Sequence, residues 1–447
     1  MNKRPMGTDG YGKIMSERRI YFDYNATAPL RRGARVAMTA ALHLNGNASS
    51  VHREGRRARA VVERARQSVA SLLNAAPAEV VFTSGGTEAN NWVLNGQWDI
   101  IFVTGVEHES VLAPVAASGA QVVKIPVDGN GVIKLQALAA LFERYCPPTA
   151  TAAADADSTA ANAAPSRRRP VLLSLQMANN ETGVVQPVAA AAQLARARGI
   201  FVHTDAVQAL GRLPLLFSQA KAGGGAGSHQ AVPGEATVSG AAIVPGEAIV
   251  PGADFMTLSS HKLGGPQGVG ALLIRQGFEL PRLLHGGGQE RRRRAGTENV
   301  AAIAGFGSAA EAAARDLTAM ARLQVLRDEL EREILAAPGK AVIIGSGTGR
   351  LANTSCIALP GLAAETLVIK LDLQGFAVSA GSACSSGKVG ASHVLAAMGV
   401  ADDLARSAIR ISLGWGTTRD DIDSFLDCWP GLLAGNRGGR GKAHAVA

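Results

Sequence analysis

Lys262 sits in Ser259-Ser-His-Lys-Leu-Gly-Gly-Pro-Gln-Gly-Val-Gly-Ala-Leu-Leu-Ile274, with hydroxyls and a histidine before it and a glycine turn and an apolar run behind. A lysine that forms a Schiff base with a carbonyl cofactor needs burial, which lowers its pKa, and neighbours that hold a phosphate. Ser259 and His261 are of the right types for those phosphate contacts. Ser-Ser-His-Lys serves an exposed turn lysine equally well, so partners elsewhere in the chain must decide. Asp205, in Phe201-Val-His-Thr-Asp-Ala-Val-Gln208, follows a buried run and suits a pyridine nitrogen. An ion-paired carboxylate keeps such a ring protonated and able to drain electrons from a substrate carbon. A helix-capping aspartate is the plain alternative.

Gly86 and Thr87, in Val80-Val-Phe-Thr-Ser-Gly-Gly-Thr-Glu-Ala-Asn-Asn91, follow a glycine turn and open a helix, where backbone N–H groups can point at an anion. Such a turn also serves as mere punctuation. His108 ends the apolar run Ile100-Ile-Phe-Val-Thr104 within Glu107-His-Glu109 and is of a type that moves protons, although a lone histidine is more often structural. Cys384 lies among the small residues Ser379-Ala-Gly-Ser-Ala-Cys-Ser-Ser-Gly387, where a thiol is reachable. The other cysteines, Cys146, Cys356 and Cys428, form no Cys-x-x-Cys pair with it or with each other, so neither a zinc site nor a disulfide framework is indicated. Cys356, inside Asn353-Thr-Ser-Cys-Ile-Ala-Leu359, reads as core.

These side chains need a scaffold that delivers them to one place. Short apolar runs alternate with helical patterns, which reads as an α/β fold with a mainly parallel sheet, and in such sheets ligands collect at the carboxyl ends of the strands. A helical pattern from about 300 to 336 leads into a smaller α+β segment. Two stretches break the order. Residues 146–169 are of low complexity, and residues 218–252 repeat Val-Pro-Gly, so both read as insertions with too little apolar surface for a core.

The motifs in their order resemble those of the cysteine desulfurases, pyridoxal-phosphate enzymes of the class V aminotransferase group. Ser-x-His-Lys with Gly-Pro-x-Gly-x-Gly-Ala-Leu is similar to that family's lysine segment. Asp23-Tyr-Asn-Ala-Thr-Ala28, Gly46-Asn-Ala-Ser-Ser-Val-His52, Glu107-His108, Asn179-Asn-Glu-Thr-Gly183, Gly286-Gly-Gly-Gln-Glu-Arg-Arg-Arg-Arg-Ala-Gly-Thr297, Gly381-Ser-Ala-Cys384 and Ile409-Arg-Ile-Ser-Leu-Gly414 resemble others. Ala28 and Ala48 replace the family's threonine and proline, which bears on the stiffness of the second loop. The resemblance implies a fold-type I transferase with a large domain on a seven-stranded type of sheet and a smaller α+β domain built from the chain's ends. It implies residues 20–316 for the large domain and 317–434 for the small one, between an N-terminal tail at 1–19 and a flexible tail at 435–447.

The resemblance also assigns roles. Pyridoxal 5'-phosphate would be bound by Gly86, Thr87, His108, Asn180, Asp205, Gln208, Ser259, His261 and Lys262, with Asn180 reaching the phenolic oxygen and His108 stacked on the ring. Thr297 would cross a homodimer interface to the partner's phosphate, Arg410 would clamp the α-carboxylate of L-cysteine, and Cys384 would take the sulfur as a persulfide. Alanine would be the second product. The sulfur acceptor would be an iron-sulfur scaffold protein, with a cluster held transiently at Cys384. A selenocysteine lyase or an aminotransferase is the alternative, and either would keep Lys262 and Asp205 without needing a mobile cysteine.

Composition narrows the class. The chain has 447 residues, 47% hydrophobic and 18% charged, enough for a sizeable core. Its polar, basic opening lacks the apolar core of a signal peptide and no run matches a membrane helix, so the expectation is a cytoplasmic protein that binds no membrane. The formal charge of +9 is spread along the chain, apart from Arg167–Arg169 and Arg291–Arg294, and gives no specific nucleic-acid footprint.

Overall fold

The computed structural model describes residues 19–147, 170–218, 249–381 and 392–434. Cys384, the tails, and all but the margins of both inserted stretches lie outside the described residues. In chain order the elements are β1 (Ile20–Tyr21), α1 (Arg32–Leu42), α2 (Arg53–Leu72), β2 (Val80–Thr83), α3 (Gly86–Leu94), β3 (Ile100–Thr104), α4 (Glu109–Ala117), β4 (Gln121–Ile125) and α5 (Leu135–Tyr145). Then come β5 (Val171–Ser174), α6 (Val188–Arg196), β6 (Phe201–Asp205), β7 (Phe255–Ser259), β8 (Gly270–Ile274), α7 (Val300–Asp316) and α8 (Met320–Ala336). The remaining elements are β9 (Val342–Ile343), β10 (Thr354–Ala358), α9 (Ala364–Leu373), β11 (Phe376–Ala377), β12 (Ser379–Ala380), α10 (His393–Ala397), α11 (Asp402–Ala405), β13 (Ala408–Ser412) and α12 (Arg419–Ala434).

The seven-stranded sheet has the order β2-β8-β7-β6-β5-β3-β4. Strands β4, β3, β5, β6 and β7 run parallel, and β8 runs against both β7 and β2. Runs such as Val80-Val-Phe-Thr83 and Phe255-Met-Thr-Leu-Ser259 are buried along their whole length because helices cover both faces, the reason they show no alternation. Helix α2 is rich in arginine yet buries Ala58, Val62, Ala65 and Val69 at helical spacing, which seats it on the first core beside α1 and α7. Phe102 sits in that core with its ring 4.9 Å from Phe142 and edge-on to it.

A second core joins α8, α9 and α12 to the antiparallel sheet β12-β13-β10-β9. Ile20 and Phe22 belong to it, because β1 pairs in parallel with β11, Ile20 opposite Phe376. Residues 20–22 therefore pack with the small domain rather than the large one. The helical pattern over 300–336 is divided by a 3₁₀ turn at Leu317–Ala319. Ala309, Ala310 and Ala313 of α7 bury into the first core, while Leu323, Leu326 and Leu330 of α8 bury into the second, so the path has to change direction between them.

Loop 45–52 is held without the proline. Ala48 is buried, its carbonyl accepts from Arg59 Nε at 2.8 Å, and Asn47 Oδ1 accepts from Ser49 N–H at 2.8 Å. Among the described residues no helix is long and apolar enough to cross a membrane.

Candidate active site

Because β2 points the same way as β3, β5, β6 and β7, five carboxyl ends open on one edge of the sheet. Each delivers part of one cavity of about 250 Å³, small for a ligand site. Gly86 and Thr87 follow β2, His108 follows β3, Asn180 follows β5, Asp205 and Gln208 follow β6, and Ser259, His261 and Lys262 follow β7. Arg410 reaches the same cavity from β13 of the small domain. Thr297 is exposed and does not line this cavity.

Lys262 stands on the 3₁₀ turn Ser260–Leu263, which Gly264 ends with a left-handed φ of 80°. A Cβ there would lie 2.4 Å from the Trp415 ring, so glycine is required twice over, for conformation and for space. The turn places Nζ where it donates to the carbonyls of Asn25 at 2.6 Å and Ala26 at 2.8 Å. Asp205 is buried, and its carboxylate accepts from Asn90 Nδ2 at 2.8 Å and Val207 N–H at 2.9 Å. Asn90 also donates to Ser110 Oγ at 2.9 Å, and Ser110 meets His108 Nδ1 through its hydroxyl at 2.8 Å and its N–H at 3.0 Å. Since that N–H can only donate, Nδ1 is an acceptor and the His108 proton resides on Nε2. Burial lowers the His108 pKa; the Asp205 charge opposes this and the Lys262 charge adds to it.

At the other end of the cavity α3 begins, with the N–H groups of its first turn unsatisfied by the helix. A Cβ on Gly86 would approach Val207 Cγ2 to 2.9 Å and fill the cradle beside Ser259. Burial, with the charges of Lys262 and Arg212, brings His261 down to about 4, so it is a neutral hydrogen-bonding ring. Glu88, in the first turn of α3, accepts from Ser84 N–H at 2.8 Å and pairs with Arg294 at 2.9 Å, tying the cradle to the loop that carries Thr297. A helix N-terminus with hydroxyls and a neutral imidazole, an amine, and a buried carboxylate opposite form a donor set that fits a phosphorylated pyridine aldehyde.

On the small-domain side the cavity is lined by a buried arginine. Arg410 is almost fully buried; its Nη2 pairs with Asp23 at 2.7 Å and its Nη1 donates to Asn180 O at 3.1 Å, while its buried Nε has no partner. Ser379, opposite Arg410 in the sheet, donates to the far oxygen of Asp23 at 2.8 Å and fixes the pair. Beneath the site, burial pushes the Glu107 carboxyl up to about 8 against hydrogen bonds from Gln176 N–H and Thr104. Glu181 is also buried and raised; it accepts from Ser392 Oγ at 2.6 Å and lies under Gly381.

Sequence reasoning assigned no role to Asn25, Asn90, Ser110 or Gln176, all of which line the cavity. Asn25 and Asn90 lie inside quoted motifs, three residues before Ala28 and three after Thr87, and their amides are the available signal. Gln176 and Ser110 carry none.

A family model described as Aminotransferase class-V matches residues 20–146, 144–223 and 249–425; the gap after 223 falls in the Val-Pro-Gly stretch. The chain is 34% identical over 423 residues to cysteine desulfurase IscS of Dictyoglomus turgidum, covering 92% of this chain and 93% of that protein. To a cysteine desulfurase of Cereibacter sphaeroides it is 38% identical over 427 residues, covering 93% and 96%. The fold superposes on an X-ray structure of a NifS-like protein from Rickettsia africae ESF-5 with a TM-score of 0.75 at 29% identity, covering 93% of this chain and 100% of the other.

Proposed function

The chain belongs to the class V aminotransferase family, among its cysteine desulfurases, and we propose that the cavity at the sheet's carboxyl edge binds pyridoxal 5'-phosphate and carries out the removal of sulfur from L-cysteine. The convergence on one cavity of Lys262, Asp205 and His108 from three strand ends of the large sheet and of Arg410 from the middle of β13 is the observation that carries this reading. When bound, the cofactor supplies an aldehyde for the amine of lysine or substrate and a ring that accepts electrons from the substrate carbon. Gly86, Thr87, Ser259 and His261 hold its phosphate, Asp205 keeps its ring nitrogen protonated, and Asn180 and Gln208 address its phenolic oxygen. Asn90 serves by holding Asp205 and, through Ser110, the His108 ring.

Substrate binding falls to Arg410, whose unpartnered Nε is a donor for the α-carboxylate. Lys262 and His108 exchange protons with the substrate, Lys262 through its amine and His108 through the proton it carries on Nε2. The Cys384 thiolate attacks the substrate sulfur; an S–S bond forms as the Cβ–S bond breaks, the electron pair of that bond stays with the carbon, which takes up a proton, and the products are a persulfide on the chain and alanine. An iron-sulfur scaffold protein takes the sulfur onward. Purified protein reconstituted with pyridoxal phosphate should turn cysteine into equimolar alanine and, with reductant, sulfide. Absence of alanine would reject the reading.

Asp205→Asn should retain the cofactor, which is also held at its phosphate, yet lose about 10²-fold or more in turnover, as expected when a developing charge is no longer stabilised. Turnover within a few-fold of the parent would remove the electron-sink role from Asp205.

Each site is completed by Thr297 of a second copy in a homodimer. The exposure of Thr297 and the tie from its loop through Arg294 to the cradle support this. Co-expressing inactive Lys262→Ala and inactive Thr297→Ala chains should restore up to about a quarter of parental activity, because half of the dimers would be mixed and each would hold one intact site. No recovery in purified mixed dimers would contradict the shared site.

A further inference from the structure

Among the described residues Arg212 is a buried cation with no acid beside it. Among the described residues no carboxylate lies within ion-pair distance of it; its guanidinium donates to Gln208 O at 3.2 Å, to Gln208 Oε1, and to Tyr24 O at 3.2 Å. Buried charges are normally paired, and its neighbours obey that rule: Arg410 with Asp23 at 2.7 Å, Arg31 with Asp316 at 2.6 Å. Burial first and the Arg410 charge second bring the Arg212 pKa down to about 9, which leaves it a cation at neutral pH.

The contact also settles which way Gln208 points. A guanidinium has only donors, so the amide oxygen must face Arg212 and the amide nitrogen must face away. That nitrogen spends one N–H on Asn25 O at 3.1 Å and keeps a second, and Gln208 lines the cavity. The charge behind the cavity wall is thus passed to the cavity as an oriented N–H.

We propose that Arg212 is a positioning residue that locks the Gln208 amide and supplies the positive charge balanced, in the loaded protein, by the anionic phenolic oxygen of the bound cofactor. This rests on the cofactor reading above. It gives the otherwise unpaired guanidinium a counter-ion and accounts for two donors of one side chain being spent on a single residue, Gln208. A cation here would favour the deprotonated form of the lysine-bound chromophore, and so would lower the pH at which its visible absorbance titrates. Lys262, His261, Arg410 with Asp23, Arg31 with Asp316, Asp205, and the Tyr24 phenol, which burial raises, complete the titratable surroundings.

The test is a spectrophotometric pH titration of holoprotein, with the affinity for pyridoxal phosphate measured alongside. Arg212→Met should raise the chromophore midpoint by about one pH unit, the effect of a unit charge at roughly 10 Å in an effective dielectric of about 20, and should weaken cofactor affinity. Arg212→Lys, which keeps the charge, should restore the midpoint to within about 0.3 unit while still binding cofactor less tightly, since an ammonium lacks the planar two-point hold. If Arg212→Met does not fold, Arg212→Gln carries the same comparison. An unchanged midpoint in a folded uncharged variant, or an equal shift in Arg212→Lys, overturns the inference. A parent protein that forms no lysine-bound chromophore overturns the cofactor reading itself, and this inference with it.

Discussion

Lys262→Ala is expected to abolish the visible absorbance of the cofactor-loaded protein, its fixation by borohydride, and turnover. The loss should reach about 10⁴-fold or more, because proton transfer by a positioned side chain alone is worth about 10²–10⁴ and the covalent attachment is lost as well. The substitution also removes the Lys262 donor, 2.6 and 2.8 Å from the Asn25 and Ala26 carbonyls; Asn25 O keeps its hydrogen bond from Gln208 Nε2, so the loss falls on Ala26 O. Ala26 is half-buried, so the lost bond is worth about the net 0.5–1.5 kcal/mol of an ordinary hydrogen bond, and the cofactor-free variant should melt slightly below the parent. Added pyridoxal phosphate should still bind noncovalently through the α3 cradle. Peptide mapping after borohydride decides the assignment: label on a lysine other than Lys262 removes it from its role.

Cys384→Ser is expected to separate the two halves of the reaction. The variant should bind cofactor and change its spectrum with cysteine through Arg410, whose partners Asp23 and Asn180 are untouched. It should form no persulfide and little alanine, because a hydroxyl does not attack sulfur as a thiolate does. The alternatives within the chain are poor. Burial pushes Cys356 up to about 12 and Cys428 up to about 11, and it raises Cys146 too, so none of the three is a ready nucleophile. Mass spectrometry after cysteine treatment without reductant should find one added sulfur on the Cys384 peptide. Added sulfur confined to Cys146, Cys356 or Cys428 would end the assignment of Cys384.

Local patterns were enough to name most of the cavity. Runs such as Ile100-Ile-Phe-Val-Thr104 are strands because their apolar, β-branched residues suit a sheet buried on both faces, and the residue after each run inherits its place at the carboxyl edge. Local pattern thus put His108, Asp205 and Lys262 near strand ends and the glycine turn at the start of α3, while the role of each, and that of Asn180, came from the order of motifs shared with the cysteine desulfurases. Periodicity also gave the helix from 300 onward, but not its division at Leu317–Ala319, since that depends on which of two cores each half faces.

What the sequence determined by itself, then, is the set of chemical groups and the strands that present them, because both follow from short-range pattern and residue type. Only the tertiary structure decided what holds those groups. Asp23 and Arg410 are 387 positions apart and meet because the chain's opening crosses to the small domain. Asn90 joins Asp205 to Ser110 across three separate strand ends, and Arg212 turns Gln208 toward the cavity from behind. Such contacts leave no local signature: a hydrogen bond between distant residues is fixed by how two packed layers settle against each other, and no spacing along the chain encodes that.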